Sequence, residues 1–219
     1  HPSLPRMRPL IVLGMIALAA CQPTDKNQAP TGVVAKAMDE AAKGLGEASQ
    51  EMDKAREEIA TARDRLAREN ISLNRNEKQH LPKAEITPAG DLLIEGKAVA
   101  TTPEQKALVL AYRGELLGVV GDGMAIGMEG ARVGIDAAAS AMKGVLAGQD
   151  GDQIGKQVGE QAKAKIQPMV AQLCTRLPGL LSAQQALSAA LPEFAPYATM
   201  DQADVDDCGD ANGDGNWTF

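Results

Sequence analysis

The chain predicts a mainly α fold: long antiparallel helices with a small β-meander and a short C-terminal helix. Three observations predict it. Its 219 residues include only two Phe, two Tyr and one Trp, too few large rings for a β-sandwich core, whereas abundant Ala and Gly with nine Met suit closely packed helices. A 4-3 alternation of apolar positions runs through the first third of the chain, and a second alternation, built of Gly and Ala, runs through the middle. At 44% hydrophobic and 23% charged the composition is that of a globular protein. The net charge of -7 excludes nucleic acid as the main partner and disfavours attachment through anionic headgroups, because phosphate binding needs a surplus of Lys and Arg on one face.

In chain order, Arg6 and Arg8 precede the uncharged run Leu10 to Ala20, which is too short to span a bilayer but suits the core of a signal peptide. Leu18-Ala19-Ala20-Cys21 ends that run and resembles the lipobox of bacterial lipoproteins. The resemblance implies a diacylglyceryl group on the Cys21 sulfur and cleavage before it, so residues 1–20 are expected to be a signal peptide. The first methionine is Met7, so residues 1–6 read as extraneous to it. In such lipoproteins an Asp after the cysteine marks retention at the inner membrane; Gln22 here implies the periplasmic face of the outer membrane. Residues 21–33 are polar, hold two prolines and have no periodicity, which predicts a flexible tether.

A single α-rich domain is expected over residues 34–200. Val34, Met38, Ala41, Leu45, Ala48, Met52, Ala55, Ile59, Ala62 and Leu66 form a heptad seam, in which Ala41, Ala48, Ala55 and Ala62 recur every seven residues and let a partner helix approach closely. The charges on the outer face of that helix, Arg56 and Arg63 among them, read as a solvated surface of mixed sign. Residues 71–100 change character: short β-branched stretches punctuated by Pro88-Ala89-Gly90 and Glu95-Gly96 predict a β-meander that must pack on the helices. Thr102 as N-cap with Pro103 at the first position then starts a long helix.

That helix carries the second alternation, Gly123, Gly127, Gly130 and Gly134, continued by Ala137, Ala141, Gly144, Gly148, Gly151 and Gly155. Each glycine weakens a helix by up to about 1 kcal/mol, so a stripe of them predicts a contact surface where another backbone comes close, with Met124, Met128, Ile135, Met142 and Val145 wrapping its shoulders. Gln149 to Asp152 is read as an interruption, helix resumes from Gln153 to Leu177, a turn is expected at Pro178-Gly179, and Ser182 to Leu191 forms a last short helix. Residues 201–219 are expected to be an irregular acidic tail. Cys174 and Cys208 are the remaining thiols, and in an exported chain they predict one disulfide, worth about 3–4 kcal/mol in the chain-entropy model.

Few residues carry chemistry. Asp210, Asn212, Asp214 and Asn216 match the opening half of a calcium loop, without the bidentate Glu that completes it, so weak calcium binding is the one cofactor candidate. Gly151, Gly155 and Gly159 form a GxxxGxxxG run, but the charges among them favour soluble helix packing over membrane pairing. Past the leader His80 is the only histidine, and the chain holds no G-x-S-x-G, H-E-x-x-H, C-x-x-C or phosphate-cradling loop. No catalytic residue is assigned and an enzyme is not expected.

Ile86 to Lys97 (ITPAGDLLIEGK), followed by Thr102-Pro103-Glu104-Gln105 and Ala111-Tyr112-Arg113, resembles the YggN-like family of bacterial envelope proteins, and the likeness returns at Leu173 to Arg176 and Gln184 to Leu187. The resemblance implies an exported domain of unknown function with a β-meander ahead of long helices, and transfers no catalytic residue. The expected function is therefore a periplasm-facing lipoprotein acting as an envelope scaffold or binding module, with a self-assembling, membrane-associated oligomer built on the glycine stripe as the alternative. Its expected partners are the membrane through the lipid and an envelope protein or further copies of the chain.

Overall fold

The computed structural model describes residues 31–73 and 80–210. Cys21, Asn212, Asp214 and Asn216 lie outside these. Helix α1 spans Thr31–Arg68, α2 Pro103–Leu146 and α3 Gly151–Ala190; strands β1 Ile71–Ser72, β2 Ala84–Ile86, β3 Leu92–Ile94 and β4 Lys97–Ala98 lie between α1 and α2; a 3-10 turn at Ala195–Tyr197 and a short α4, Gln202–Asp206, follow α3.

α1 follows its heptads. Met52 is buried, and Met38, Leu45, Ala48, Ala55, Ile59, Ala62 and Leu66 are half-buried, whereas Ala41 is exposed near the helix start. The seam lies antiparallel on α2: Arg63 Nη2 donates to the Gly121 carbonyl at 2.9 Å, and Arg113 Nη2 donates to the carbonyls of Leu66 (2.6 Å) and Glu69 (2.8 Å). α2 and α3 form a second antiparallel pair, fastened by the Lys165–Asp136 and Arg176–Asp122 ion pairs at 3.4 and 2.5 Å.

The four strands form one antiparallel sheet in the order β1-β2-β3-β4. Ile71 faces Ile86 and Ile86 faces Leu92 across neighbouring strands. Glu95 (φ 49°) and Gly96 (φ 77°) make the tight turn between β3 and β4, where both central residues need positive φ. Gly90 has φ 88°, and a Cβ there would stand 2.6 Å from Leu110 Cγ, so a side chain would lift the sheet off α2. Lys106 on α2 holds the same turn through Asp91 at 2.9 Å, and its hydrogen bond keeps the Asp91 carboxyl below the ordinary carboxylate range.

Thr102 caps α2 as predicted, and Gln105 completes a capping box by reaching back to the Thr102 N–H at 2.9 Å. The core is concentrated at the sheet end. There Ile71, Ile86 and Leu92 meet Val109, Tyr112 and Leu116 of α2, Leu173, Leu177 and Leu187 of α3, and Phe194. Tyr112 and Phe194 pack edge to face with centroids 5.1 Å apart, and the Tyr197 hydroxyl donates to the Pro82 carbonyl at 2.7 Å. The aromatics among the described residues, Tyr112, Phe194 and Tyr197, thus all lie in a sheet-capped head, while the opposite half of the bundle is a slimmer stalk of small residues.

Three expectations need correction. No turn forms at Pro178-Gly179: α3 runs through both Pro168 and Pro178, and the segment from Ser182 onward is its last third. An internal proline costs roughly 3 kcal/mol, but Leu173, Leu177, Leu180 and Leu181 are buried on either side of Pro178, at about 1.5–3 kcal/mol each, and outweigh it. The acidic segment is not wholly irregular, since Asp201 caps α4 through a capping box with Asp204. Residues 31–33, expected to belong to the tether, open α1 instead, while the interruption read at Gln149 to Asp152 is the turn, closed by Gly148 (φ 71°) and the Asp150 N-cap, that sends α3 back along α2.

Cys174 and Cys208 are joined, with Cα atoms 5.6 Å apart and a sequence separation of 34. Gln184 already clasps the main chain at Met200, donating from Nε2 to its carbonyl (2.7 Å) and accepting its N–H (3.1 Å). Replacing both cysteines by serine is therefore expected to cost only about 2 kcal/mol, at the lower end for disulfides. Protease cleavage should appear after residue 200 while the helical circular dichroism signal is retained; loss of the whole helical signal under the same conditions would show that the bridge holds the head together.

Candidate functional site

The α1–α2 register builds a cleft along the stalk. On α1, Arg56, Ile59 and Arg63 lie three and four residues apart and share a face; on α2, Ala125, Met128, Glu129 and Arg132 do the same. The antiparallel pairing that seats Arg63 at Gly121 sets these two stripes side by side, and Met169 of α3 closes the floor. The result is an open cleft of about 460 Å³ with an apolar base of Ile59, Ala125, Met128 and Met169 and three guanidinium groups on its rim.

Its electrostatics are set by one carboxylate among cations. Arg132 grips Glu129 with two parallel hydrogen bonds, Nε to Oε2 at 3.0 Å and Nη2 to Oε1 at 2.7 Å. That fork holds the Glu129 carboxyl below the ordinary carboxylate range, with Lys165 and Arg56 adding to it, and raises the Arg132 pKa in turn. Arg56 is freer: its contact with Asp53 is 3.6 Å long and its side chain is 58% exposed. Three arginines against one glutamate leave the rim positive within a chain whose net charge is -7. Such a surface accepts an anionic head, while methionines adapt to a flexible apolar tail. A second depression, of about 440 Å³, follows Lys54, Glu57, Glu58, Thr61, Ala62 and Arg65 of α1, where alternating charges offset one another.

The residues singled out by sequence fall elsewhere. Gly123, Gly127, Gly130 and Gly134 are exposed, and a Cβ built on any of them meets nothing within 4 Å. Within this chain they are not the contact surface expected of them. The close approach occurs instead at Gly144, where a Cβ would stand 2.6 Å from Ile154 Cδ1 of α3. Ala48, Ala55 and Ala62 do line the α1 seam. Asp210, the one calcium candidate among the described residues, is exposed. No group of three or more His, Cys, Asp or Glu side chains is placed to hold a metal ion among the described residues, and His80 is exposed.

Sequence reasoning missed the cleft. Arg56 and Arg63 sit one heptad apart beside the seam residue Ile59, which is a signal, but only the helix register puts Arg132 and Met128 opposite them. Among the described residues no helix is long and apolar enough to cross a membrane. No family model, curated protein or solved structure matches the chain.

Proposed function

We propose that this chain is a periplasm-facing bacterial lipoprotein, held at the outer membrane through Cys21, whose bundle is a binding module of the envelope rather than an enzyme. The likeness to YggN-like envelope proteins belongs to the same reading. The observation that carries it is the cleft: an apolar, methionine-floored trough with an arginine rim. Its ligand is an anionic amphiphile, a phosphate or carboxylate head set against Arg56 and Arg63 with an alkyl chain lying over Ile59, Met128 and Met169.

Titration calorimetry with decyl phosphate below its micellar concentration, against decyl maltoside as the uncharged control, tests this. Saturable binding of the phosphate alone is expected, weakened about tenfold by Arg56→Gln, as the loss of one exposed charge-assisted contact of about 1.4 kcal/mol implies. Equal binding of both amphiphiles, or binding indifferent to Arg56→Gln, would sink the reading.

A second reading, self-assembly through the glycine stripe, is favoured by one observation: four helix-weakening residues face outward with room for another backbone against each. In that case the stripe is shielded between copies of the chain.

A further inference from the structure

We propose that the tip of the stalk, formed by Val33, Val145 and Leu146, is seated on the lipid surface, so that the bundle stands upright on the membrane with its sheet-capped head projecting away. This rests on the lipoprotein reading above and deepens it. Among the described residues four large hydrophobic side chains are conspicuously exposed, and three of them are these, at 66%, 61% and 67%; the fourth, Leu110 at 42%, belongs to the head.

The three lie at one end. Arg63 is level with Gly121; Val33 lies thirty residues, about 45 Å, back along α1, and Leu146, the last residue of α2, lies twenty-five residues, about 37 Å, further along α2. The chain also enters here. Thr31 stands ten positions after Cys21, so an anchored sulfur lies within roughly 35 Å of the start of α1 at the tip at full reach.

Charge distribution selects the same pose. Near the tip Lys36 and Lys143 balance Asp150 and Asp152, so apolar side chains meet lipid with no net charge to repel them. Exposed Asp201, Asp204, Asp206, Asp207 and Asp210 all lie well away from the tip, in a segment that runs from Gln184, about 50 Å along α3 from Gly151, back to the bridge at Cys174, about 35 Å along it. An anionic leaflet repels that segment. Three apolar side chains alone bind a membrane weakly, but beside a lipid anchor they need only choose the orientation.

The experiment couples the chain from Cys21 to Phe219, disulfide intact, through its one free thiol to a maleimide lipid in a supported phosphatidylcholine bilayer, and measures the thickness of the protein layer by neutron reflectometry. An upright bundle gives a layer of about 60–70 Å, the length of α2, whereas a recumbent one gives roughly 20–25 Å. The expected result is the thick layer for the native chain, and loss of that defined thickness for the triple variant Val33→Ser, Val145→Ser, Leu146→Ser, with unchanged helical circular dichroism. A thin native layer, or a variant layer as thick and sharp as the native one, overturns the proposal. Should the triple variant lose helicity, Leu146→Ser alone takes its place under the same criteria. Because the lipid is attached chemically, absence of lipid label on Cys21 in cells would overturn the lipoprotein reading and leave the reflectivity result to judge the tip separately.

Discussion

Replacing Arg113 by methionine is expected to lower the free energy of unfolding by about 3–5 kcal/mol. Arg113 is only 4% exposed. Its Nη1 donates to the Ile86 carbonyl at 2.9 Å, and its Nη2 to the carbonyls of Leu66 and Glu69 at 2.6 and 2.8 Å, with Ala67 more distant at 3.4 Å. The last carbonyls of α1 have no intrahelical donors, and they form the negative end of the helix dipole. A single guanidinium from α2 satisfies them and ties β2 to the same point, so one side chain joins three elements. Burial draws its pKa down, yet an arginine remains charged, and the carbonyl cluster compensates for its lost hydration.

Methionine keeps much of the apolar stem and removes all the donors, so the loss isolates the hydrogen bonds, each worth about 1.5–3 kcal/mol when one partner is charged. Urea denaturation should show a lower midpoint, and hydrogen exchange should quicken first at Ile71 and in the last turn of α1. Lysine at this position is expected to recover only part of the loss, since an ammonium lacks the planar fork. A change below 1 kcal/mol for Arg113→Met would mean that water replaces the guanidinium at no cost.

Alanine at Gly123, Gly127, Gly130 and Gly134 together is expected to act in the opposite direction, raising stability by about 3–4 kcal/mol. Each glycine costs an α-helix interior roughly 0.8–1 kcal/mol relative to alanine, and each new methyl group enters open space. Gly144→Ala is the internal control: its methyl would press on Ile154 and on Gln149 Oε1, 2.9 Å away, and the variant should be no more stable than the native chain. The quadruple variant also judges the self-assembly reading. If light scattering finds the native chain oligomeric and the variant monomeric, the stripe is an interface between subunits. If both are monomeric, the glycines serve no self-association, and the cleft stands as the better guide to function.

Legibility followed the range of the interaction. The Thr102 cap, the Glu95-Gly96 turn and the α1 heptads were readable because caps, turns and periodicity depend on neighbours in sequence. The disulfide was readable from the cysteine count together with the export expected of the chain. Pro178 misled because a local cost was outweighed by leucines whose burial depends on distant partners. The cleft was half legible: Arg56, Ile59 and Arg63 announce a helix face, but nothing in their spacing says which residues of α2 will stand opposite.

By itself the sequence determined the helical class, the place of the meander, the start of α2 and the seam of α1. Tertiary structure alone decided how far along α2 one face stays covered: the face that Val109 and Leu116 bury in the head continues at intervals of seven into Gly123 and Gly130, and there it lies open. The physical reason is area. Burial stabilises by roughly 25 cal/mol per Å² of apolar surface, so the stretch carrying Val109, Tyr112, Leu116 and Val119 is covered by sheet and helix, while the glycine stretch of the same face offers little side chain to cover. Over that stretch Met128, Glu129 and Arg132 lie on the other side of α2 and line the cleft with α1.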